Sequence, residues 1–175
     1  MMYSYLNRCA HFLARGMALL GGAALIVLIL LTCVSIIGRA LIPLNMGLGP
    51  IKGIYDITEI GMAAAVFAFL PWCQLQRGHA SVDLFKSAYP ALMNRIIDVV
   101  VDLGMLLIAS IGAWRLYLGM LDKLRYNETT LILQFPVWQG YLASLAGAVV
   151  FAVVAAFCVL RSGRAVVNPL AQESL

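Results

Sequence analysis

Predominantly apolar runs long enough to cross a bilayer recur four times along the chain. Residues 16–38, GMALLGGAALIVLILLTCVSIIG, carry no charge. At 1.5 Å per residue such a run makes about 35 Å of helix, enough for a hydrocarbon core. Residues 54–76 form the second span. Asp56 and Glu59 stand at its opening, where unpaired N–H groups favour negative charge. Residues 96–121 and 135–160 supply the third and fourth. A signal peptide is the competing reading of the first run, but its apolar core stops after 7–15 residues at a small-residue site. This one continues into Ile36 and Ile37, so an uncleaved span is expected.

The breaks between runs set the topology. Residues 39–53, RALIPLNMGLGPIKG, hold two prolines and several glycines, which disfavours a long helix there. Leu41, Ile42, Leu44, Met46 and Leu48 make this loop greasy, suited to the membrane surface or to a partner. Residues 71–95, PWCQLQRGHASVDLFKSAYPALMNR, form a basic bridge between two hairpins, with a short surface helix from Ser81 or Asp83 to Pro90. Residues 122–134 read as a short polar loop. Pro71 should kink or loosen the end of the second span, and Trp72 should anchor at the headgroups. Pro136 fits the first turn of the fourth span, where its missing N–H costs nothing. Trp114, Tyr117 and Tyr126 fit an aromatic belt, and Arg115 can snorkel to the same interface. Residues 1–15 are either a short interfacial helix, with Tyr3, Leu6, Phe12 and Leu13 on one face, or a polar tail. The expected layout is a 1–15 N-terminal segment, a 16–164 four-helix membrane domain and a 165–175 tail, all-α throughout.

Composition narrows the class. The chain is 63% hydrophobic and 11% charged, against about half and a quarter in soluble domains. The net charge of +4 is spread over short loops, so the clustered basic face that nucleic-acid binding needs is missing. It suits anionic lipid and orientation signals. Arg8, Arg15, Arg77, Lys86, Arg95, Arg161 and Arg164 fall on one side of the four spans; Arg39, Lys52, Lys123 and Arg125 fall on the other. That asymmetry places both termini in the cytoplasm.

Candidate chemistry is sparse. Cys9, Cys33, Cys73 and Cys158 have no CxxC spacing, so neither zinc nor a disulfide framework is expected. His79 and Asp83 are four apart, but two ligands make no metal site, and they read as a surface pair. No nucleotide loop, acid–base pair or nucleophile constellation is present, so the chain does not read as an enzyme and calls for no cofactor. Asp98 and Asp102 are four apart and share a helix face with Arg95. Asp102 lies about 10 Å of rise inside the span from Arg95. An acid at that depth is a functional-site hypothesis; pairing with another helix or a partner subunit is favoured over direct transport. Few buried polar groups and no broken helix pair argue against an independent carrier. A self-contained small carrier or oligomeric channel, with Asp102 lining a pathway, is the alternative.

The run Gln74-Leu75-Gln76-Arg77-Gly78-His79-Ala80-Ser81-Val82-Asp83 resembles a signature of the small membrane subunit of tripartite ATP-independent periplasmic (TRAP) transporters. That pattern is an R-x-G-x-H-I-x-V-D-like stretch after the second span. Arg77, Gly78, His79, Val82 and Asp83 match its core. Arg77 is followed directly by Gly78, and Ala80 stands where the family often has isoleucine. Gly38-Arg39 resembles the family's step after span one, and Glu59 its acidic residue before the second apolar run. The resemblance covers about residues 15–162. It implies a four-span fold of long tilted helices in the bacterial inner membrane. It also implies a large permease subunit that carries the substrate and sodium sites, and a periplasmic binding protein that delivers an organic anion. The small subunit would enlarge the static scaffold against which the permease moves. Arg39, Glu59, Arg77, Gly78, His79, Asp83, Asp98 and Asp102 are the candidate structural or partner-contact residues. Arg39 and Glu59 would order the outer loop, and Arg77, His79 and Asp83 would lock the cytoplasmic turn.

Overall fold

The computed structural model describes residues 2–42, 49–78 and 91–167. They form α1 (Met2–Ala40), α2 (Ile54–Leu75), α3 (Ala91–Arg125) and α4 (Trp138–Val167). All four are long and apolar enough to cross a membrane. At 39 and 35 residues, α1 and α3 reach about 58 and 52 Å. Both exceed a hydrocarbon core of about 30 Å, so they must tilt or project past it.

The helices pack as an open row rather than a closed bundle. α4 lies between α2 and α3, α2 lies between α4 and α1, and α1 shares a buried cluster with α4 at Ala10 and Ala14. α4 is therefore the most buried of the four, whereas α1 and α3 expose most of their apolar surface. In lipid that exposure carries no hydrophobic penalty, and small residues decide which faces approach closely. Of the two glycines at 21 and 22, Gly21 is the one used. A Cβ there would sit 3.0 Å from Ala68 Cβ and 3.3 Å from the Ala65 carbonyl oxygen, whereas Gly22 faces open space. Ala65 and Ala68 are buried at this crossing, while Ala63 is exposed.

Pro71 lies inside α2, and the helix runs on through it to Leu75. Proline leaves the carbonyl four residues earlier without its helical donor, here that of Phe67. This carbonyl faces Gly147 of α4, where an added Cβ would come within 2.7 Å of its carbon and 2.8 Å of its oxygen. The absence of a side chain at Gly147 is what lets α4 lie against the opened backbone. Pro71 itself is fully buried, so packing supports α2 where the sequence predicts a kink or a loosened last turn.

Two expectations change. Residues 2–15 are no separate helix, because α1 runs unbroken from Met2 to Ala40; no proline interrupts it, and Ala10 and Ala14 are buried against α2 and α4. Trp72 packs on that same cluster and meets His11 edge-on at 6.3 Å, a packing role the sequence did not announce. Pro136 precedes α4 instead of opening it: it pairs with Thr129 in a β-bridge, and its carbonyl accepts the Gln139 N–H at 3.2 Å.

The loop between α3 and α4 is tied down as a compact hairpin. Thr130 N–H donates to the Phe135 carbonyl at 2.9 Å, Phe135 N–H donates to Thr130 Oγ1, and Gln134 takes a left-handed φ of 54°. Its tip folds onto the start of α2. Asp56 accepts the N–H groups of Ile132 and Leu133, both at 3.1 Å. Leu133 covers Gly53, whose φ of 76° and lack of Cβ are both needed there. Asp56 therefore serves as a clamp between hairpins as well as a helix-end charge. Asp56→Ala is expected to speed amide exchange at Ile132 and Leu133, because both N–H groups lose their acceptor. Hydrogen exchange with mass spectrometry reads this directly, and unchanged protection of 131–134 would count against the clamp.

Candidate functional site

The polar groups that the sequence distributes along three apolar helices converge at one end of the row. α2 ends in a turn that has the hydrogen bonds of a Schellman motif. Gly78 N–H donates to the Cys73 carbonyl at 2.8 Å, and Arg77 N–H donates to the Gln74 carbonyl at 3.1 Å. The left-handed position of such a turn is usually glycine; here it is Arg77, with φ 51°, and Gly78 follows it. A side chain in that region costs about 1–2 kcal/mol. The contacts that Arg77 makes account for its presence.

Its guanidinium reaches across to both helices of the second hairpin. Nη1 donates to Asp98 Oδ2 of α3 at 2.5 Å, and Nη2 donates to Ser162 Oγ of α4 at 3.0 Å. Nη2 also lies 3.9 Å from Asp102 Oδ2. Asp102 is 4% exposed. One of its oxygens accepts from Gln74 Nε2 at 3.0 Å, and the other accepts from the Ser162 hydroxyl. The Cys158 thiol approaches the Gln74 carbonyl at 3.9 Å, and Gln74 Oε1 has no protein partner. A buried carboxylate is stable only when paired and hydrogen-bonded, and this one has both. The Arg77–Asp98 pair is about a third exposed on each side, so water screens it and it contributes little, up to about 1 kcal/mol.

The backbones of α2 and α3 do not come within packing distance. Among the described residues, side-chain links between them run through Gln74 and Arg77 to Asp98 and Asp102. The cluster is thus an interhelical lock that fixes α3 relative to α2, with Ser162 of α4 as the shared floor. Nothing in it offers a nucleophile or a proton relay. Among the described residues no group of three or more His, Cys, Asp or Glu is placed to hold a metal.

Of the residues singled out in the sequence, the structure brings together Arg77, Asp98 and Asp102, with Gly78 closing the turn. Asp98 turns to Arg77 rather than to Arg95 on its own helix. Arg39 and Glu59 lie exposed toward the opposite end, at the last turn of α1 and near the start of α2. His79, Asp83 and the expected surface helix fall outside the described residues. Sequence reasoning missed Gln74 and Ser162. Gln74 sits three residues before Arg77 in an otherwise apolar run, which is a usable signal; Ser162, hidden between Arg161 and Arg164, gave almost none. Gly38 also gains a physical role: a Cβ there would lie 2.5 Å from the Gly49 carbonyl oxygen. Beside it, Ile51 N–H donates to the buried Ser35 hydroxyl at 3.2 Å, folding the loop back on α1.

Arg77 offers a test with an internal control. Arg77→Gly removes both the guanidinium and the backbone strain, whereas Arg77→Ala removes only the guanidinium. Arg77→Gly is expected to be the more stable variant by about 1 kcal/mol, with both below the parent protein, in denaturation monitored by circular dichroism.

Fold and site together define a multi-pass membrane protein whose buried charge is spent on holding its own helices, with no catalytic or metal centre among the described residues. Residues 28–165 match the family described as tripartite ATP-independent periplasmic transporters, DctQ component, and the chain belongs to that family. It is accordingly a small membrane component of a TRAP-type transporter. No curated protein and no solved structure matches the chain.

Proposed function

We propose that the chain is the small, non-catalytic scaffold subunit of a sodium-coupled TRAP transporter in a bacterial inner membrane, with both termini in the cytoplasm. Its partners are a large permease subunit, which holds the substrate and sodium sites, and a periplasmic solute-binding protein. The cargo is an organic anion: a carboxylate, dicarboxylate, sialic acid or sulfonate.

The observation that carries this reading is the engagement of Asp102. The one acid buried within the spans is bound by Gln74 and Ser162 and lies beside Arg77, which suits a rigid support and not a moving ion path. The open row adds to it. A stator must resist being dragged through the bilayer, and four long helices side by side present a broad apolar surface to lipid and neighbour. Arg39 and Glu59 remain candidates for ordering the outer loop against a partner, and Arg77, His79 and Asp83 for locking the turn between hairpins. Co-expression of the tagged chain with the large permease subunit tests the assignment. A stable one-to-one complex through detergent extraction is expected, and failure of the two to co-purify under any mild detergent would refute it.

A further inference from the structure

We propose that the N-terminal end of α1 is a binding site for anionic phospholipid headgroups, formed by Arg8 and Arg15 with Tyr5 and Phe12. α1 runs antiparallel to α2: Leu28 meets Gly61, Gly21 meets Ala65 and Ala68, His11 meets Trp72, and Ala10 and Ala14 share a buried cluster with Leu75, the last residue of α2. Residues before Ala10 therefore continue past the end of α2, by about 12 Å. At this level lies the partly exposed Arg77–Asp98 pair, and charged side chains of this kind favour the edge of the apolar slab over its interior. Residues 5–15 thus cross the headgroup zone.

The side of α1 turned away from Ala10 and Ala14 has a consistent chemistry. Tyr5, Arg8, Phe12 and Arg15 follow at spacings of three and four, so they form one ridge. All four are exposed, Tyr5 by 71% and Phe12 by 80%. The same face continues toward mid-span as Leu19, Leu30 and Ile37, all exposed. A surface that is aliphatic over the depth of the acyl chains and becomes aromatic and basic only at their end matches the layering of a lipid leaflet. Aromatic rings favour the headgroup level, and arginine stems lie along apolar surface with their heads at phosphate depth.

Charge completes the argument. The sequence has no Asp or Glu before Asp56, so α1 carries no acid. Asp98 and Asp102, the acids of the lock, are engaged by Arg77. Arg8 and Arg15, about 10 Å apart along the helix and in no ion pair among the described residues, are set to meet lipid phosphates that carry net negative charge.

The test titrates the detergent-solubilised full chain with dioleoyl phosphatidylglycerol or dioleoyl phosphatidylcholine and counts retained lipid by native mass spectrometry. Preferential retention of phosphatidylglycerol is expected. The R8Q/R15Q double variant should lower it at least tenfold, in keeping with the attraction of two surface basic residues. R8K/R15K, which keeps the charge, should retain it within about threefold. R39Q/K52Q, which removes cations at the other end, should behave like the parent protein. Equal retention of the two lipids, or an R8Q/R15Q variant indistinguishable from the parent, would overturn the proposal. So would a photo-cross-linker at position 12, in cells, that captures protein instead of lipid.

Discussion

Asp102→Ala is expected to destabilise the protein by about 3 kcal/mol, the largest single effect foreseen. The substitution deletes the acceptor for Gln74 Nε2 and for the Ser162 hydroxyl at once. It also leaves the Arg77 guanidinium facing the junction with only Asp98 to compensate it. Breaking a buried pair by removing one member costs about 3–5 kcal/mol; the lower end applies because Arg77 is partly exposed. Asp102→Asn keeps an acceptor and nearly the same volume, so it should lose roughly half as much. Denaturation midpoints of the detergent-solubilised variants measure both. Equal stability of Asp102→Ala and the parent protein would mean that the lock contributes nothing.

Gly147→Val should cost about 2–3 kcal/mol through overpacking. The first carbon of any side chain would meet the Phe67 backbone at 2.7 Å, and backbone cannot swing aside as a flexible side chain can. α4 and α2 must then separate, loosening the seam where Leu75 of α2 shares a buried cluster with Val154, Phe157 and Cys158 of α4. Gly163→Val is the control, because a Cβ there meets nothing within 4 Å. Thermal unfolding should shift clearly for Gly147→Val and little for Gly163→Val; a parent-like midpoint for the former would mean that the crossing tolerates several tenths of an ångström of play.

The four spans were legible because lipid imposes a simple rule: backbone polar groups must be satisfied internally, so uncharged apolar runs become helices. The same rule hides the helix ends. Outside the hydrocarbon, polar residues such as Asn7 and Arg8 are compatible with helix, so α1 extends well below residue 16 and α3 begins at Ala91 with no apolar signal to announce it. Asp102 stood out as a buried acid, and its pairing with another helix followed from the expense of an unpaired charge. Which helix supplied the partners was not legible, because Gln74 and Ser162 lie 28 and 60 residues away. Nor did Asp56 reveal its second role, since its bonds go to the backbone of Ile132 and Leu133, and backbone donors carry no sequence signature. Pro71 and Gly147 are individually common features of membrane helices. Their joint meaning, an opened carbonyl against a bare helix face, required the crossing itself.

Sodium-driven anion uptake into proteoliposomes tests most directly the proposed support role of this chain within a larger transporter. The isolated chain should give no uptake above that of empty vesicles, and uptake should appear when the large permease subunit and the binding protein are added. Sodium-driven accumulation by the isolated chain would contradict it.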